Sequence, residues 1–202
     1  MTNLTELRFE RSHSDEVDAA LSAMDCVLLG DKGVYASSEL SSGRRAQRLQ
    51  REHGASDSAT LRDRLGSERY NNLLWSPNVA SALAFAHDLR KKLGTAHFII
   101  SPAPFTAPGW TQAAYLAFWE KVIRTRVKAV YFNEGWEYSN GCVYEFVVAN
   151  HAQLPTFDRN GVPISVQEGL RRIANVIGAL QADGLDVEVL KSSWTALSRR
   201  LG

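Results

Sequence analysis

Short apolar runs alternate with longer stretches of helical periodicity through most of the chain. The short runs end in turns that contain glycine or proline, whereas the stretches between them repeat their apolar residues every three or four positions. The predicted strands lie within residues 25–35, 96–105, 128–136, 154–158 and 185–190. The predicted helices cover residues 78–94, 112–126, 141–149 and 165–184, with a last helical turn in 193–202.

This alternation indicates a particular sheet. Strands that alternate with helices are joined by right-handed crossovers, and they form a mostly parallel sheet that helices cover on both faces. We therefore predict an α/β fold with a doubly wound, mostly parallel five-stranded sheet of the flavodoxin or Rossmann type, in a single domain over residues 1–202. The polar, Arg-rich stretch 38–72 is predicted to be a helical insertion after strand one, and a lid role for it stays open.

Composition and charge exclude several classes of protein. Lys and Arg number 23 against 22 Asp and Glu, so the formal charge of +1 does not favour nucleic-acid binding. The apolar runs are far shorter than the ~20 residues that cross a bilayer, and the N-terminus has no signal-peptide pattern. Cys26 and Cys142 are far apart in apolar surroundings, as expected of reduced thiols in a cytoplasmic protein. The five His residues show no metal-ligand spacing, so neither a metal nor a cofactor is expected.

Ligands of doubly wound sheets bind outside the carboxyl ends of the strands, where the winding direction changes. The sequence predicts that these ends carry the segments Gly30–Tyr35, Ser101–Phe105 and Asn133–Gly141. The site is therefore expected among these three segments. The predicted contact residues from them, besides the start of the next helix, are Gly30, Asp31, Tyr35 and Trp136.

Ser139, Asn140 and Gly141 follow a predicted strand and begin a helix. Ser139 is placed as the N-cap residue, whose hydroxyl accepts from a backbone N–H one turn along. The free N–H groups and the positive end of the helix dipole favour an anion there, and phosphate is the expected one. Plain helix capping is the alternative. The stretch "SSGRR" in the insertion is either a second phosphate contact or a flexible turn.

Glu145 is a single carboxylate within the apolar stretch of this same helix. It lies six residues after Ser139, which is roughly 9 Å along the helix axis. A substrate whose phosphate sits on the helix N-terminus would therefore place its sugar beside the carboxylate. An isolated charge in an apolar helix is costly unless it is paired or functional. The alternative is that Glu145 faces solvent or a basic partner.

The segment "SNGCVYEFVVA" resembles the motif of the nucleoside 2-deoxyribosyltransferase-like superfamily, which includes the nucleoside 5'-monophosphate N-glycosidases. That motif has Ser or Asp after a strand, Gly two residues later, the catalytic Glu four residues after the Gly, and a small residue four further on. The corresponding residues here are Ser139, Gly141, Glu145 and Ala149. The resemblance extends well over residues 78–158 and loosely over 26–35, but not over the Arg-rich insertion.

The resemblance implies that Glu145 attacks C1' of a ribose or deoxyribose and displaces the base, which leaves a glycosyl-enzyme ester for water or a second base. In this family the transferases of free nucleosides have Asp at the head of the motif and the nucleotide hydrolases have Ser. Ser139 thus favours a nucleotide 5'-phosphate, held by the backbone N–H groups of Asn140 and Gly141. The family also uses an acid on the preceding helix, near which Glu120 lies; pairing with Arg124 is the alternative for this residue.

The resemblance further implies a small-molecule nucleotide as the partner and a homodimer as the assembly. Tyr35, Phe105, Trp110 or Trp136 would stack on the base, although each such ring is more often a packing residue. Two alternatives stay open. One is a nucleotide-binding or sensing module without catalysis, and the other is a hydrolase of a larger nucleotide such as NAD or a cyclic nucleotide signal.

Overall fold

The computed structural model of the chain describes the backbone of residues 4–199 and the side chains of residues 15–199. Along the chain the helices and strands are α1 (Leu4–Leu28), β1 (Gly33–Ser37), α2 (Arg44–His53), α3 (Ser58–Tyr70), α4 (Ser76–Leu93), β2 (Ile99–Ile100), α5 (Gln112–Arg126), β3 (Val127–Phe132), α6 (Asn140–His151), β4 (Thr156–Asp158), α7 (Val166–Ala182) and α8 (Glu188–Ser198). Among these helices, none combines the length and apolar character of a bilayer span.

The strands form one parallel sheet in the order β2-β1-β3-β4. The α/β class and the parallel sheet of the sequence prediction are confirmed, but within residues 4–199 the sheet has four strands and not five. From β1 the chain moves outward to β2 and then returns across β1 to β3. The winding direction therefore changes beside β1 and β3, and their carboxyl ends are where such sheets bind ligands.

The predicted fifth strand, residues 185–190, is wrong because residues 185–187 are a short irregular link and residues 188–190 are the first turn of α8. Leu190, Ser193 and Leu197 are buried at spacings of three and four residues, which is a helical stripe. The outer edge of β4 is also occupied by its own following turn, because Phe157 forms an antiparallel bridge with Pro163. A further strand therefore has no free edge to pair with there.

The predicted position of strand one is also wrong. The apolar residues before Leu29 belong to α1, and the chain then turns through Leu29 and Gly30, both at positive φ (52° and 88°). Strand β1 begins only at Gly33. Gly30 and Asp31 therefore lie at the amino end of the strand, opposite the end where the ligand is expected, and their predicted contact with a ligand is wrong.

The two faces of the sheet bury different side chains of β1, because successive strand residues point to opposite faces. Val34 and Ala36 pack with residues of α4, among them Phe85 and Leu89. Tyr35 faces the larger cluster, which is built mainly from α1, α5, α6, α7 and α8. This second face supplies the candidate site.

The segment between β1 and α4 is helical, as predicted for the insertion. It consists of α2, α3 and a π-helical turn at Asn71–Trp75. It has its own buried apolar cluster, formed by Ala46, Leu49, Ala55, Leu61, Leu65, Tyr70 and Leu74. The side-chain amide of Gln47 donates to the carbonyl of Tyr138 at 2.9 Å, so the insertion rests directly against the turn that precedes α6.

Candidate active site

Glu145 lies where α6 crosses the carboxyl end of β1. The hydroxyl of Tyr35 donates to Oε1 of Glu145 and the hydroxyl of Ser37 donates to Oε2, each at 2.6 Å. Tyr35 and Ser37 are two residues apart on β1, so they point to the same face of the sheet. Each carboxylate oxygen thus has one hydroxyl donor from the central strand.

Burial determines the electrostatics of this carboxyl group. Glu145 is only 9% exposed, and burial raises its pKa from 4.5 to about 7, against the opposing effect of the hydrogen bonds from Ser37 and Tyr35. Tyr35 is fully buried, and its burial together with the charge of Glu145 raises the pKa of its phenol well above 10, so it stays a donor. The alternative that Glu145 faces solvent or a basic partner is therefore wrong.

The N-terminus of α6 is capped as the sequence predicts. The hydroxyl of Ser139 accepts from the backbone N–H of Cys142 at 3.4 Å. A hydroxyl from the insertion also reaches this end, because Ser42 Oγ lies 3.1 Å from Ser139 Oγ and accepts from the backbone N–H of Asn140 at 3.1 Å. Gly141 follows in the first turn, where a Cβ would meet only Ser139 Oγ, at 4.0 Å. The hydroxyls of Ser139 and Ser42 and the backbone N–H groups of Asn140 and Cys142 thus form one hydrogen-bonded group at the start of α6.

A cation from the insertion lies beside the same turn. The guanidinium of Arg44 lies 4.9 Å from the ring centroid of Tyr138, the residue before Ser139. It also forms ion pairs with Glu134 at 3.3 Å and Glu137 at 3.6 Å, and its side chain is 49% exposed. Arg44 is therefore held near the start of α6 while its charge remains accessible from solvent.

Glu39 is a second carboxyl group at this end of the sheet, and it was not among the site residues predicted from the sequence. It follows β1 by two residues and accepts from the backbone N–H of Arg44 at 3.1 Å. Gly43 and Gly135 both have positive φ and leave room for its carboxyl group, since a Cβ at Gly43 would overlap it and one at Gly135 would approach it to 3.0 Å. Burial raises its pKa to about 7. The polar run "SSELSS" directly after a buried strand was the available signal.

Cys142 lies in the first turn of α6, and the charges of the Glu145 and Glu39 carboxyl groups both act on its buried thiol. Burial raises the pKa of its thiol well above 9, and the charges of Glu145 and Glu39 add to this effect. A thiol in this environment stays protonated at neutral pH, so it is not prepared as a nucleophile.

Glu120 on α5 has other partners. Arg124 donates to its Oε1 at 2.8 Å, and the hydroxyl of Tyr144 donates to its Oε2. These contacts, the Tyr144 hydrogen bond first, lower the pKa of Glu120. Pairing with Arg124, the alternative of the sequence analysis, is thus confirmed. Tyr144 and Glu145 are successive helix residues whose side chains point about 100° apart, so Glu120 approaches α6 from another side.

Two of the predicted aromatic contacts, Trp136 and Tyr35, are not available as stacking faces, whereas Phe105 and Trp110 are half-buried. Trp136 is 2% exposed and packs between Phe132 and Phe146, with ring centroids 4.9 and 4.7 Å away. Its predicted contact with a ligand is therefore wrong, because the apolar turn after β3 is part of the core. Tyr35 does reach the site, but through its hydroxyl on Glu145, since its ring is fully buried against Trp119.

Comparisons of the chain with protein-family models, with curated proteins and with solved structures gave no match. Among the side chains of residues 15–199, there is no group of three or more His, Cys, Asp or Glu that would hold a metal ion.

Proposed function

We propose that this protein cleaves the N-glycosidic bond of a nucleoside 5'-monophosphate, with Glu145 as the nucleophile. One observation carries the proposal: a buried carboxylate at the carboxyl ends of a parallel sheet has a hydroxyl donor on each oxygen, from Tyr35 and Ser37. It lies on the helix whose capped N-terminus is roughly 9 Å away along the axis, which is a suitable separation for a sugar and its 5'-phosphate. The resemblance of the Ser139 to Ala149 motif to nucleotide N-glycosidases supports the same function.

In the proposed reaction the ionised carboxylate attacks C1' of the sugar. The C1'–N bond breaks, its electron pair leaves with the base, and a glycosyl ester forms on Glu145. Water then adds at C1' and releases the sugar phosphate, or a second base takes its place. Tyr35 and Ser37 orient the carboxylate, and its poor solvation strengthens its attraction for the positive charge that develops on the sugar.

The start of α6 is the proposed phosphate site. In this proposal the backbone N–H groups of Asn140 and Gly141 and the hydroxyl of Ser139 would donate to the phosphate, and the helix dipole favours a negative charge there. Ser42 now accepts from Asn140, so in this proposal its hydroxyl turns and donates to a phosphate oxygen. Arg44 lies at the same turn and would pair with the phosphate in exchange for its present partners Glu134 and Glu137.

The departing base is a better leaving group if it receives a proton. Glu120 stays a prediction for this role, although its lowered pKa and its pairing with Arg124 disfavour it as an acid. Glu39 has the more suitable properties, because its half-buried carboxyl group has a pKa raised to about 7 and lies at the carboxyl end of β1.

A larger nucleotide such as NAD is a second candidate substrate. The observation that favours it is the contact of the Arg-bearing insertion with the start of α6, through Ser42, Arg44 and Gln47. A second phosphate beyond the first would meet this surface.

The experiment is a chromatographic assay of free base after incubation with ribo- and deoxyribonucleoside 5'-monophosphates, the corresponding nucleosides, NAD and cyclic nucleotides. We expect base release from at least one 5'-monophosphate and a much slower release from the matching nucleoside. Release of base from NAD and from no monophosphate would identify the larger nucleotide, the second candidate, as the substrate. A thermal shift by nucleotides without any free base would instead identify a binding or sensing module and contradict the proposed enzyme.

A further inference from the structure

The structure contains a second concave region, away from α6. A cavity of about 550 Å³ opens along the free edge of β2, between α1 and α4. Among the described residues, its walls come from α1, α4, α5, β2 and the loops on both sides of β2. The volume lies within the range of about 300–1,000 Å³ that is usual for small-molecule sites.

This cavity is separate from the proposed catalytic carboxylate. Trp119 is a buried residue of its lining, and the Trp119 ring lies edge-on to the ring of Tyr35 with centroids 5.8 Å apart. Tyr35 is fully buried and carries Glu145 on its hydroxyl, so two aromatic rings stand between the cavity and the carboxylate. Glu145 itself does not line the cavity.

The lining combines aromatic surface with positive or polar groups. Phe98, Phe105 and Trp119 provide the rings, and Phe98 is 42% exposed although it is apolar. His87 and Arg90 are three residues apart on α4, hence on one face of the helix, and both line the cavity from its exposed side. Among the side chains described, neither has an ion-pair or hydrogen-bond partner.

From this arrangement we propose that the cavity binds a small planar aromatic anion, whose rings pack against Phe105 and Trp119 and whose acidic group pairs with Arg90. A ring system of this class matches the aromatic part of the lining, which Phe98, Phe105 and Trp119 form. An acidic group at the exposed side would pair with the guanidinium of Arg90, the one Arg in the lining among the side chains of residues 15–199, and a sulfonate, carboxylate or phosphate ester offers the oxygens that Arg binds best. This inference does not depend on the proposed catalytic function.

A pair of matched fluorescent probes tests the proposal. 8-Anilinonaphthalene-1-sulfonate has the required rings and charge, and N-phenyl-1-naphthylamine has the same rings without the sulfonate. We expect saturable binding of the sulfonate at one site per chain, about fivefold weaker in Arg90→Gln. The control Lys91→Gln removes the same charge from the next, outward-facing position and is expected to bind like the wild type. Binding of the uncharged probe should not change in either variant.

A second variant blocks the cavity without touching Arg90. Ala86 lines the cavity, and Ala86→Trp should fill it and abolish binding of both probes, while Glu145→Gln should leave binding unchanged. Circular dichroism and thermal melting check that each variant is folded. The proposal is overturned if Arg90→Gln binds the sulfonate as tightly as Lys91→Gln does, if a folded Ala86→Trp binds it normally, or if Glu145→Gln prevents binding.

Discussion

Replacement of Glu145 by Gln is expected to lower base release from nucleoside 5'-monophosphates by about a thousandfold or more. An amide cannot form the glycosyl ester, yet it has nearly the shape of the carboxylate. The Tyr35 hydroxyl can donate to the amide oxygen, and the amide N–H can donate to Ser37. The measurement is the initial rate of base formation. A rate within threefold of the wild type would show that Glu145 is not the nucleophile.

At alkaline pH Glu145→Gln should be more stable than the wild type. A loss of base release in this variant could then not be explained by a loss of folding. Burial raises the pKa of Glu145 from 4.5 to about 7, so between these values the folded protein binds more protons than the unfolded chain. Stability therefore falls as pH rises through this window, by about 3 kcal/mol once Glu145 is fully ionised. Glu145→Gln removes this cost, so its free energy of unfolding should exceed that of the wild type at pH 8 by up to about 3 kcal/mol.

Urea unfolding at pH 8 and at pH 4.5 measures this difference. At pH 4.5 the wild-type side chain is protonated in the fold, so the two proteins should differ little. Glu188→Gln is the control, because its side chain is 79% exposed at the start of α8 and its replacement should change stability by less than about 0.5 kcal/mol at either pH. An equal effect of Glu145→Gln at both pH values would argue against a buried, ionising carboxyl group.

Ser139→Asp should change the substrate preference of the enzyme. Asp is as good an N-cap as Ser, so α6 is expected to form, but the new charge would repel a 5'-phosphate dianion at the helix N-terminus. We expect kcat/KM for the monophosphate to fall at least about a hundredfold, mainly through KM, while base release from the free nucleoside is maintained or increased. Steady-state kinetics on the nucleotide and nucleoside of one base measure the change.

The matched control is Ser165→Asp. Ser165 caps α7 in the same way, accepting from the backbone N–H of Glu168 at 3.1 Å, but it lies on a helix that contributes nothing to the proposed phosphate site. Its replacement should leave both kinetic constants unchanged. If Ser139→Asp processes the monophosphate as efficiently as Ser165→Asp does, the phosphate does not bind at the start of α6.

Elements with strong local signals were predicted well from the sequence. Helix α5 occupies Gln112–Arg126 as predicted, because Thr111 caps its start and extended backbone follows at Val127. Helix α6 extends only slightly beyond its predicted range for a similar reason, the cap at Ser139. Short apolar runs were interpreted less reliably, since a run of three or four such residues fits the end of a helix as well as a strand. The residues before Leu29 and those around Leu185 are of this kind.

The candidate site, too, was predictable from the sequence only in part. Ser139 and Glu145 share one helix, so their spacing follows from the sequence alone. The contacts of Glu145 with Tyr35 and Ser37 join residues 110 and 108 positions apart, and they depend on β1 lying beside β3 in the sheet. The local sequence pattern also does not show where an insertion packs against the rest of the fold. The positions of Ser42 and Glu39 against the start of α6 therefore could not be inferred.

The most direct measurement is the covalent state of Glu145 during turnover. A 2'-fluoro-arabino nucleoside 5'-monophosphate slows breakdown of a glycosyl ester, because fluorine disfavours the positively charged transition state. After incubation, acid quenching and pepsin digestion, mass spectrometry should find the fluorinated sugar phosphate bound to Glu145, with one equivalent of base released and no adduct in Glu145→Gln. An adduct on a different residue, or an adduct that persists in Glu145→Gln, would contradict the assignment of Glu145 as the nucleophile.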